Sequence, residues 1–196
     1  LCTNSSACHG FTSSAETGAC FLHGWTIEDE VYASIMTDDV NEKYLPNRSI
    51  KGLEVTMRIE DAIHDAEIVV LAVPSAHILD VVESLLPHLR PGHVLLDLAK
   101  GLAPGKRLIS EAIEGMLEAN NMSNALAVLT GPTIAPEAAD GVMTTALVAS
   151  SDLSIATRLA NTLTTPTFVL HPASDPVGAE LWGAFKNVVA LACGLV

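Results

Sequence analysis

Short, nearly continuous apolar runs recur along the chain, and polar segments separate them. The clearest runs are EIVVLAVP (67–74), HVLLDLAKG (93–101) and NALAVLTGP (124–132), and shorter ones follow at 144–150 and 166–172. Runs of this length, bounded by Pro, Gly or polar residues, are typical of strands buried on both faces. The pattern therefore predicts the interior strands of a sheet. The predicted core positions are Val69, Leu71, Val73, Leu95, Leu96, Leu98, Ala127 and Leu129.

The segments between these runs have helical spacing. Residues 58–66, 105–118 and 152–163 are amphipathic, and 75–89 shows the pattern most clearly, with Ser75 as its predicted N-cap. Alternation of buried strands with amphipathic helices predicts an α/β fold, built on a doubly wound, mostly parallel, Rossmann-like sheet. The apolar positions of 75–89 are Ile78, Val81, Val82, Leu85, Leu86 and Leu89.

The beginning of the chain differs from the rest. Residues 1–19 are rich in Ser, Thr, Gly and Cys and lack an apolar period, which predicts an irregular or disordered segment. A short strand is predicted at 20–25, and a helix with acidic residues in its first turn at 27–35. A polar connection containing Tyr44 follows at 38–50. Regular structure is thus expected from about residue 20 onward.

The composition narrows the classes of function. Hydrophobic residues make up 49% and charged residues 17% of the 196 residues, which argues against a disordered chain. The formal net charge of −13 opposes binding to nucleic acid and anionic lipid, although backbone N–H groups and one or two lysines can still hold a phosphorylated ligand. No uninterrupted apolar run reaches the roughly 18 residues of a membrane span, and no signal-peptide pattern is evident.

The cysteines do not follow a zinc-site spacing. Two histidines near the first three cysteines leave a metal site as an alternative, but free thiols in a reducing cytoplasm are the preferred interpretation. We therefore predict no metal and a cytoplasmic protein. The residues concerned are Cys2, Cys8, Cys20, Cys193, His9 and His23.

Polar residues, glycines and prolines follow three successive predicted strands. Pro74 and Ser75 end the first strand, Lys100 and Gly101 the second, and the stretch 131–133 (Gly-Pro-Thr) the third. Ligands of doubly wound sheets bind beyond the carboxyl ends of the strands. Three such ends in succession predict a single ligand crevice.

Two residues of this crevice have alternative interpretations. Lys100 is either a solvated lysine at a strand end or, because Gly101 allows close backbone approach, a contact for an anion or carbonyl. Thr133 is either the N-cap of a short helix or part of a turn whose free N–H groups point into the crevice.

The last predicted helix is apolar but carries Lys186 and Asn187. Asp175 and Pro176 are a suitable N-cap and first helical residue. No acidic residue stands three or four positions from Lys186, so no local ion pair explains it. Such a lysine either extends along its own stem to solvent or serves as a base in a desolvated site.

Five segments together resemble NAD(P)-dependent glycerol-3-phosphate dehydrogenase. They are NEKYLP (41–46), IVVLAVPS (68–75), AKGLAPG (99–105), LTGPTIAPEAADG (129–141) and SDPVGAELWGAFKNVVALACG (174–194). The resemblance runs from about Trp25 to Val196, with the family's order and spacing. It implies hydride transfer between NAD or NADP and C2 of sn-glycerol 3-phosphate, which is interconverted with dihydroxyacetone phosphate and feeds glycerophospholipid synthesis.

The resemblance also implies roles for individual residues. Lys186 is similar to the family's proton acceptor, Lys100 to the lysine near both substrate and cofactor, and Asn187 to the residue beside the base. These roles are consistent with the chemistry, because oxidation of an alcohol requires a base for the O–H proton, a cation for the developing oxyanion and a nearby nicotinamide. The implied substrate contacts are Lys100, Gly131, Thr133 and Lys186. The implied cofactor contacts are Lys100, Ala135, Tyr44 and Pro74.

Two departures from the family pattern stand out. The family's opening strand and G-x-G-x-x-G turn, which hold the pyrophosphate, are missing from 1–19, and the chain stops at Val196, one helix into the family's second domain. We therefore expect an atypical segment at 1–19, a dinucleotide-binding domain at 20–173 and the first helix of a helical substrate domain at 174–196. We also expect little or no dehydrogenase activity from this chain by itself.

Two other interpretations stay open. One is another member of the wider hydroxyacid dehydrogenase group, against which the G-P-T-x-A and N-E-K-Y-L-P segments argue. The other is a non-catalytic folded remnant, which the missing glycine turn favours. The sequence does not distinguish NAD from NADP, and it leaves room for a homodimer.

Overall fold

The computed structural model describes residues 11–14, 19–22, 29–52, 55–56 and 58–194. The strands of this part of the chain are β1 (Phe11–Ser14), β2 (Ala19–Leu22), β3 (Val40–Asn41), β4 (Leu45–Ser49), β5 (Ile68–Leu71), β6 (Val94–Asp97), β7 (Ala125–Thr130), β8 (Thr144–Ala149) and β9 (Phe168–Ala173). The helices are α1 (Asp29–Asp38), α2 (Ile59–Ile63), α3 (Ile78–Leu85), α4 (Ile109–Ala119), α5 (Ala135–Ala139), α6 (Leu153–Leu163) and α7 (Pro176–Cys193). A 3-10 turn at Leu86–His88 extends α3.

Seven of the strands form one sheet in the order β1-β2-β5-β6-β7-β8-β9. Strands β2, β5, β6 and β7 are mutually parallel, whereas β1 is antiparallel to β2, and β8 is antiparallel to β7. Strand β9 runs parallel to β8. The predicted α/β fold with a mostly parallel sheet is confirmed. Because β8 is reversed, its amino end lies beside the carboxyl end of β7.

The sheet buries an apolar layer on each face. Val69 and Leu95 pack with α2, α3 and α4 on one face, and Val70 and Leu96 pack with α6 on the other. Alternate residues of a strand point to opposite faces, so a strand covered on both sides needs a continuous apolar run. The predicted core positions are buried except Leu98, which is half-buried at the edge of the second layer.

Several local predictions require correction. Phe11–Ser14 is a strand, so the prediction of an irregular segment at 1–19 is wrong there; residues 1–10 and 15–18 lie outside the described residues. The polar connection at 38–50 contains a short hairpin formed by β3 and β4. Strand β1 pairs with β2, and β3 pairs with β4. Local apolar periodicity does not reveal such pairing.

The predicted N-cap Ser75 is also wrong, and so is the N-cap alternative for Thr133. His77 precedes α3, and Ser75 lies in the turn before it, where the His77 N–H donates to the Pro74 carbonyl at 2.9 Å. Ile134 precedes α5, so Thr133 does not cap that helix. By contrast, Asp175 caps α7 as predicted, because its carboxylate accepts from the Gly178 N–H at 2.8 Å.

The predicted helix at 27–35 corresponds to α1 (Asp29–Asp38), and the predicted strand at 20–25 corresponds to β2; residues 23–28 are outside the described part. Among the helices that the structure describes, none combines the length and apolar character needed to cross a bilayer.

Candidate functional site

The carboxyl ends of β5 and β6 lie side by side, as the crevice prediction requires. Gly101 follows β6 with φ +146°, and a Cβ atom at this position would stand 2.9 Å from the Ser75 hydroxyl oxygen. Glycine is the residue that fits here, because its backbone conformation is rarely adopted by other residues and there is no room for a side chain. The turns after the two strands therefore share one edge of the sheet.

The turn after β7 joins the same edge and is contacted by both candidate lysines. The Lys100 ammonium donates to the Thr133 carbonyl at 3.4 Å and to the Thr133 hydroxyl at 3.3 Å. The Lys186 ammonium donates to the Gly131 carbonyl at 3.3 Å. The structure thus brings Lys100, Gly131, Thr133 and Lys186 together, although they come from three separate parts of the chain.

The two ammonium groups are neighbours, and this affects Lys100. Burial lowers the pKa of Lys100, and the positive charge of Lys186 lowers it further. Two adjacent cations repel each other unless an anion lies between or beside them. The pair is therefore suited to a phosphate or to an oxygen that gains negative charge during a reaction.

Two glycines allow the lysine-bearing helix and the neighbouring strand to approach. A Cβ atom on Gly183 would collide with the Thr130 hydroxyl, so glycine lets α7 lie directly on the end of β7. A Cβ atom on Gly131 would stand 2.8 Å from Ala146 Cα and 2.9 Å from the Thr145 carbonyl oxygen. This close approach places Lys186 within reach of the turn at 131–133.

A cleft of about 530 Å³ extends from Lys186 across the end of β7 and over residues of β8 and β9. Trp182 of α7 forms one wall and is 70% exposed. Such a volume suits a small-molecule ligand. The lining residues are Thr130, Gly131, Pro132, Thr145, Ala146, Leu147, His171, Trp182, Gly183 and Lys186.

The remaining predicted site residues lie at the surface around this centre. Pro74, Ala135 and Asn187 are exposed. Tyr44 is 63% exposed in the turn of the β3–β4 hairpin, with the Lys43 ammonium 5.1 Å from the centre of its ring. The Arg48 guanidinium pairs with the Asp140 carboxylate and so links this hairpin to the end of α5. Their predicted roles as cofactor contacts, or as a neighbour of the base, stay predictions.

Two buried acids were not predicted as part of the site. The Glu180 carboxylate, on α7, accepts hydrogen bonds from the N–H groups of Ile109 and Ser110 and from the Ser110 hydroxyl. Asp97 ends β6 and is fully buried. The one sequence signal for these two residues is that each is an acid within an apolar segment, Glu180 in α7 and Asp97 in β6.

Asp97 has an unusual protonation behaviour. Burial raises its pKa to about 7, and the Glu180 carboxylate also raises it, while the hydrogen bond from the Ala99 N–H opposes the rise. One carboxyl oxygen accepts that bond at 2.8 Å, and the other has no hydrogen-bond partner in the described structure. A carboxyl group in this setting is stabilised in its neutral form.

Within the described ranges, no group of three or more His, Cys, Asp or Glu side chains is arranged to hold a metal ion. Cys193 is a free, exposed thiol near the end of α7. The other three cysteines have side chains outside the described part of the structure.

A doubly wound sheet with close-approach glycines at its strand ends, one lysine after a strand and a second lysine on a helix packed against the same edge belongs to the Rossmann-like proteins that bind small ligands at this edge. Comparison with known families is more specific. Residues 12–156 match the family described as NAD-dependent glycerol-3-phosphate dehydrogenase N-terminus. The chain belongs to this family, as the resemblance predicted.

Individual proteins agree with this assignment. The chain is 37% identical over 173 residues to a glycerol-3-phosphate dehydrogenase [NAD(P)+] of Koribacter versatilis, covering 87% of this chain and 51% of the relative. It is 33% identical over 172 residues to the protein of that name from Geobacter metallireducens, with coverage of 87% and 51%. The crystal structure of glycerol-3-phosphate dehydrogenase from Coxiella burnetii is similar with a TM-score of 0.78, at 27% identity over 89% of this chain and 52% of that one. The chain thus spans about half the length of the relatives it matches.

Proposed function

We propose that the protein carrying this chain is an NAD(P)-dependent oxidoreductase that interconverts sn-glycerol 3-phosphate and dihydroxyacetone phosphate. The observation that carries the proposal is the neighbouring pair Lys100 and Lys186, held against the 131–133 turn at the carboxyl edge of the sheet. The names of the relatives, glycerol-3-phosphate dehydrogenase [NAD(P)+], support the same proposal.

The chemistry of alcohol oxidation fits these residues. In our proposal Lys186, in its neutral amine form, accepts the proton of the C2 hydroxyl and becomes an ammonium, and the Lys100 ammonium stabilises the negative charge that develops on the oxygen. The Thr133 hydroxyl and the Gly131 backbone border the space next to both ammonium groups and contact the substrate. Asn187, the next residue on α7, orients the substrate beside the base.

In our proposal the described part of the crevice holds the nicotinamide end of a dinucleotide. Gly101 presents its backbone where a side chain would collide with Ser75, and the exposed Pro74 borders the same edge. These residues, together with Lys100 and Ala135, would hold NAD or NADP, and Tyr44 would contact it from the hairpin. When bound, the cofactor supplies hydride transfer to and from C2.

By the same proposal, residues 20–173 form the dinucleotide-binding domain and 174–196 begin a helical substrate domain. The second half of α7 supports this division, because Val188, Val189 and Leu191 are exposed and offer an apolar face for further helices. The reaction would take place in the cytoplasm and supply glycerol 3-phosphate for glycerophospholipid synthesis.

Replacement of the proposed base tests the function. We expect Lys186→Ala to lower kcat for dihydroxyacetone phosphate reduction by about 10²–10⁴-fold, the usual range for loss of a general base, with a smaller effect on KM. Oxidation of NADH or NADPH is followed spectrophotometrically in the protein carrying this chain. Lys51→Ala, which changes an exposed lysine in a turn, is the matched control.

The outcomes separate the alternatives. A kcat within about threefold of wild type with a raised KM would make Lys186 a binding residue and not the base. Reduction of a keto acid in preference to dihydroxyacetone phosphate would favour the wider hydroxyacid dehydrogenase group. A folded wild-type protein that binds cofactor but reduces neither class of substrate would contradict the proposed reaction.

A further inference from the structure

We infer that Glu180 is a positioning residue, which fastens the lysine-bearing helix α7 to the amino end of α4 and thereby holds Lys186 at the 131–133 turn. The inference deepens the proposed function, since Lys186 is the base in that proposal. Its structural part, the dependence of Lys186 on Glu180, can be tested without any activity.

The amino end of α4 lacks a cap of its own. Leu108 occupies the N-cap position and provides no side-chain acceptor. The first N–H groups of a helix have no partner within the helix. Glu180 supplies the missing acceptor from another element, taking the Ile109 N–H, the Ser110 N–H at 3.2 Å and the Ser110 hydroxyl. A carboxylate at this end of a helix also interacts favourably with the helix dipole.

The contact between Glu180 and the amino end of α4 is buried, and breaking its hydrogen bonds is therefore costly. Glu180 is 3% exposed and Ser110 is 4% exposed. A buried carboxylate is tolerated when several donors satisfy it, and buried donors are costly when their acceptor is withdrawn. A shift or rotation of α7 would break three hydrogen bonds together, so the carboxylate fixes the helix in one register on the domain.

Glu180 and Lys186 are connected through one continuous helix. Lys186 lies six positions further along α7, at a rise of about 9 Å. Between them, Gly183 rests on Thr130, the last residue of β7. The next part of the helix, with Val188 and Leu191, is exposed. The contacts that hold Lys186 in place are thus concentrated on its amino-terminal side, where Glu180 is the buried polar anchor.

A small displacement of α7 is enough to disturb the site. The Lys186 ammonium reaches the Gly131 carbonyl at 3.3 Å, near the upper limit of a hydrogen bond. Misplacement of a reacting group by about 1 Å can lower a rate by roughly 10²-fold. Glu180 therefore acts on the reaction through the position of Lys186, without touching the substrate.

The test compares Glu180→Gln with Glu118→Gln, which changes an exposed acid on α4. Glutamine keeps the side-chain volume but removes the charge and one acceptor oxygen. The first measurement is amide hydrogen exchange at Ile109 and Ser110 in the 196-residue chain. We expect exchange to become about tenfold faster or more in Glu180→Gln, because a hydrogen bond to a charged group is lost.

The second measurement reports on Lys186 itself. Lysines are labelled by reductive ¹³C-methylation, and the Lys186 signal is assigned with Lys186→Arg. We expect Glu180→Gln to shift this signal, whereas Glu118→Gln leaves it unchanged. An unchanged Lys186 signal together with faster exchange at Ile109 and Ser110 would overturn the inference, because Glu180 would then be a local cap of α4.

Ser110→Ala is the second variant should Glu180→Gln fail to fold, since it removes one donor and leaves the carboxylate in place. We expect a smaller shift of the Lys186 signal in the same direction, and no shift would overturn the inference. In the protein carrying this chain, we expect Glu180→Gln to lower kcat by about 10–100-fold with little change in cofactor Kd. An inactive wild-type protein would contradict the proposed function alone, and the lysine signal would still decide the role of Glu180.

Discussion

Asp97→Asn should change how the stability of this protein depends on pH. Asp97 is fully buried at the end of β6, and burial raises the pKa of its carboxyl group to about 7. Asparagine is nearly isosteric with the neutral acid and can accept the same hydrogen bond from the Ala99 N–H. The substitution therefore removes the titration while preserving most of the contacts.

The sign follows from the two protonation states. Between pH of about 4 and 7 the unfolded chain has an ionised Asp97 while the folded chain keeps the proton, so stability falls as pH rises. At about 1.4 kcal/mol per pH unit, the loss between pH 5 and pH 8 comes to about 2–3 kcal/mol. The buried His93 acts in the opposite direction, because burial and the Arg90 charge lower its pKa to about 4.

Because Asp97 and His93 change the stability with pH in opposite directions, the assay must separate their contributions. Below pH of about 6.5 the His93 contribution makes stability rise with pH and hides the contribution of Asp97 in the wild type alone. The difference between Asp97→Asn and wild type cancels His93. We would measure urea unfolding by circular dichroism from pH 5 to 8 at constant ionic strength, with the exposed Asp80→Asn as the control.

We expect the variant to gain about 2–3 kcal/mol relative to wild type between pH 5 and pH 8. A difference that stays constant to within about 0.5 kcal/mol, the usual size of a surface effect, would refute the reasoning. Asp97 would then be ionised in the folded protein and would need a partner that satisfies its second oxygen.

Three further substitutions test the packing and the helix capping of the fold. Gly131→Ala should destabilise the fold by about 1–3 kcal/mol, because its Cβ atom would meet the backbone of β8. A Cβ atom added at Gly115 on α4 would have no atom within 4 Å, so Gly115→Ala should instead stabilise the fold by about 0.5–1 kcal/mol. Urea unfolding measures both variants, and changes in unfolding free energy of the same sign would contradict this account. Asp175→Ala removes the cap of α7 and should cost about 1 kcal/mol, with faster amide exchange at Gly178; unchanged exchange there would refute it.

Parts of the site could be predicted because their signals are local. Lys100 follows an apolar run directly, so its place at a strand end is implied by sequence order alone. Lys186 was singled out because no acid stands at helical spacing from it, and it indeed contacts a distant backbone carbonyl instead. Asp175 followed by Pro176 indicates the start of α7, since both act within one turn.

Other features could not be predicted because their causes lie elsewhere in the chain. The direction of β8 is one example. An apolar strand can be buried whether it is parallel or antiparallel to its neighbour, so the apolar pattern of β8 does not reveal that it runs antiparallel to β7. Ser75 and Thr133 have the chemistry of N-caps, yet α3 and α5 begin later. Ser75 instead lies close to Gly101, and the Thr133 hydroxyl accepts a hydrogen bond from Lys100.

The sequence by itself determined the elements, their alternation and the residues at each strand end, because apolar periodicity and turn chemistry act over a few neighbouring residues. The tertiary structure alone decided which of these ends meet. The contacts of Lys100 with Thr133, of Lys186 with Gly131 and of Glu180 with Ser110 join positions far apart in the chain. Such pairs form because packing excludes water, so that buried polar groups must find hydrogen-bond partners within the protein.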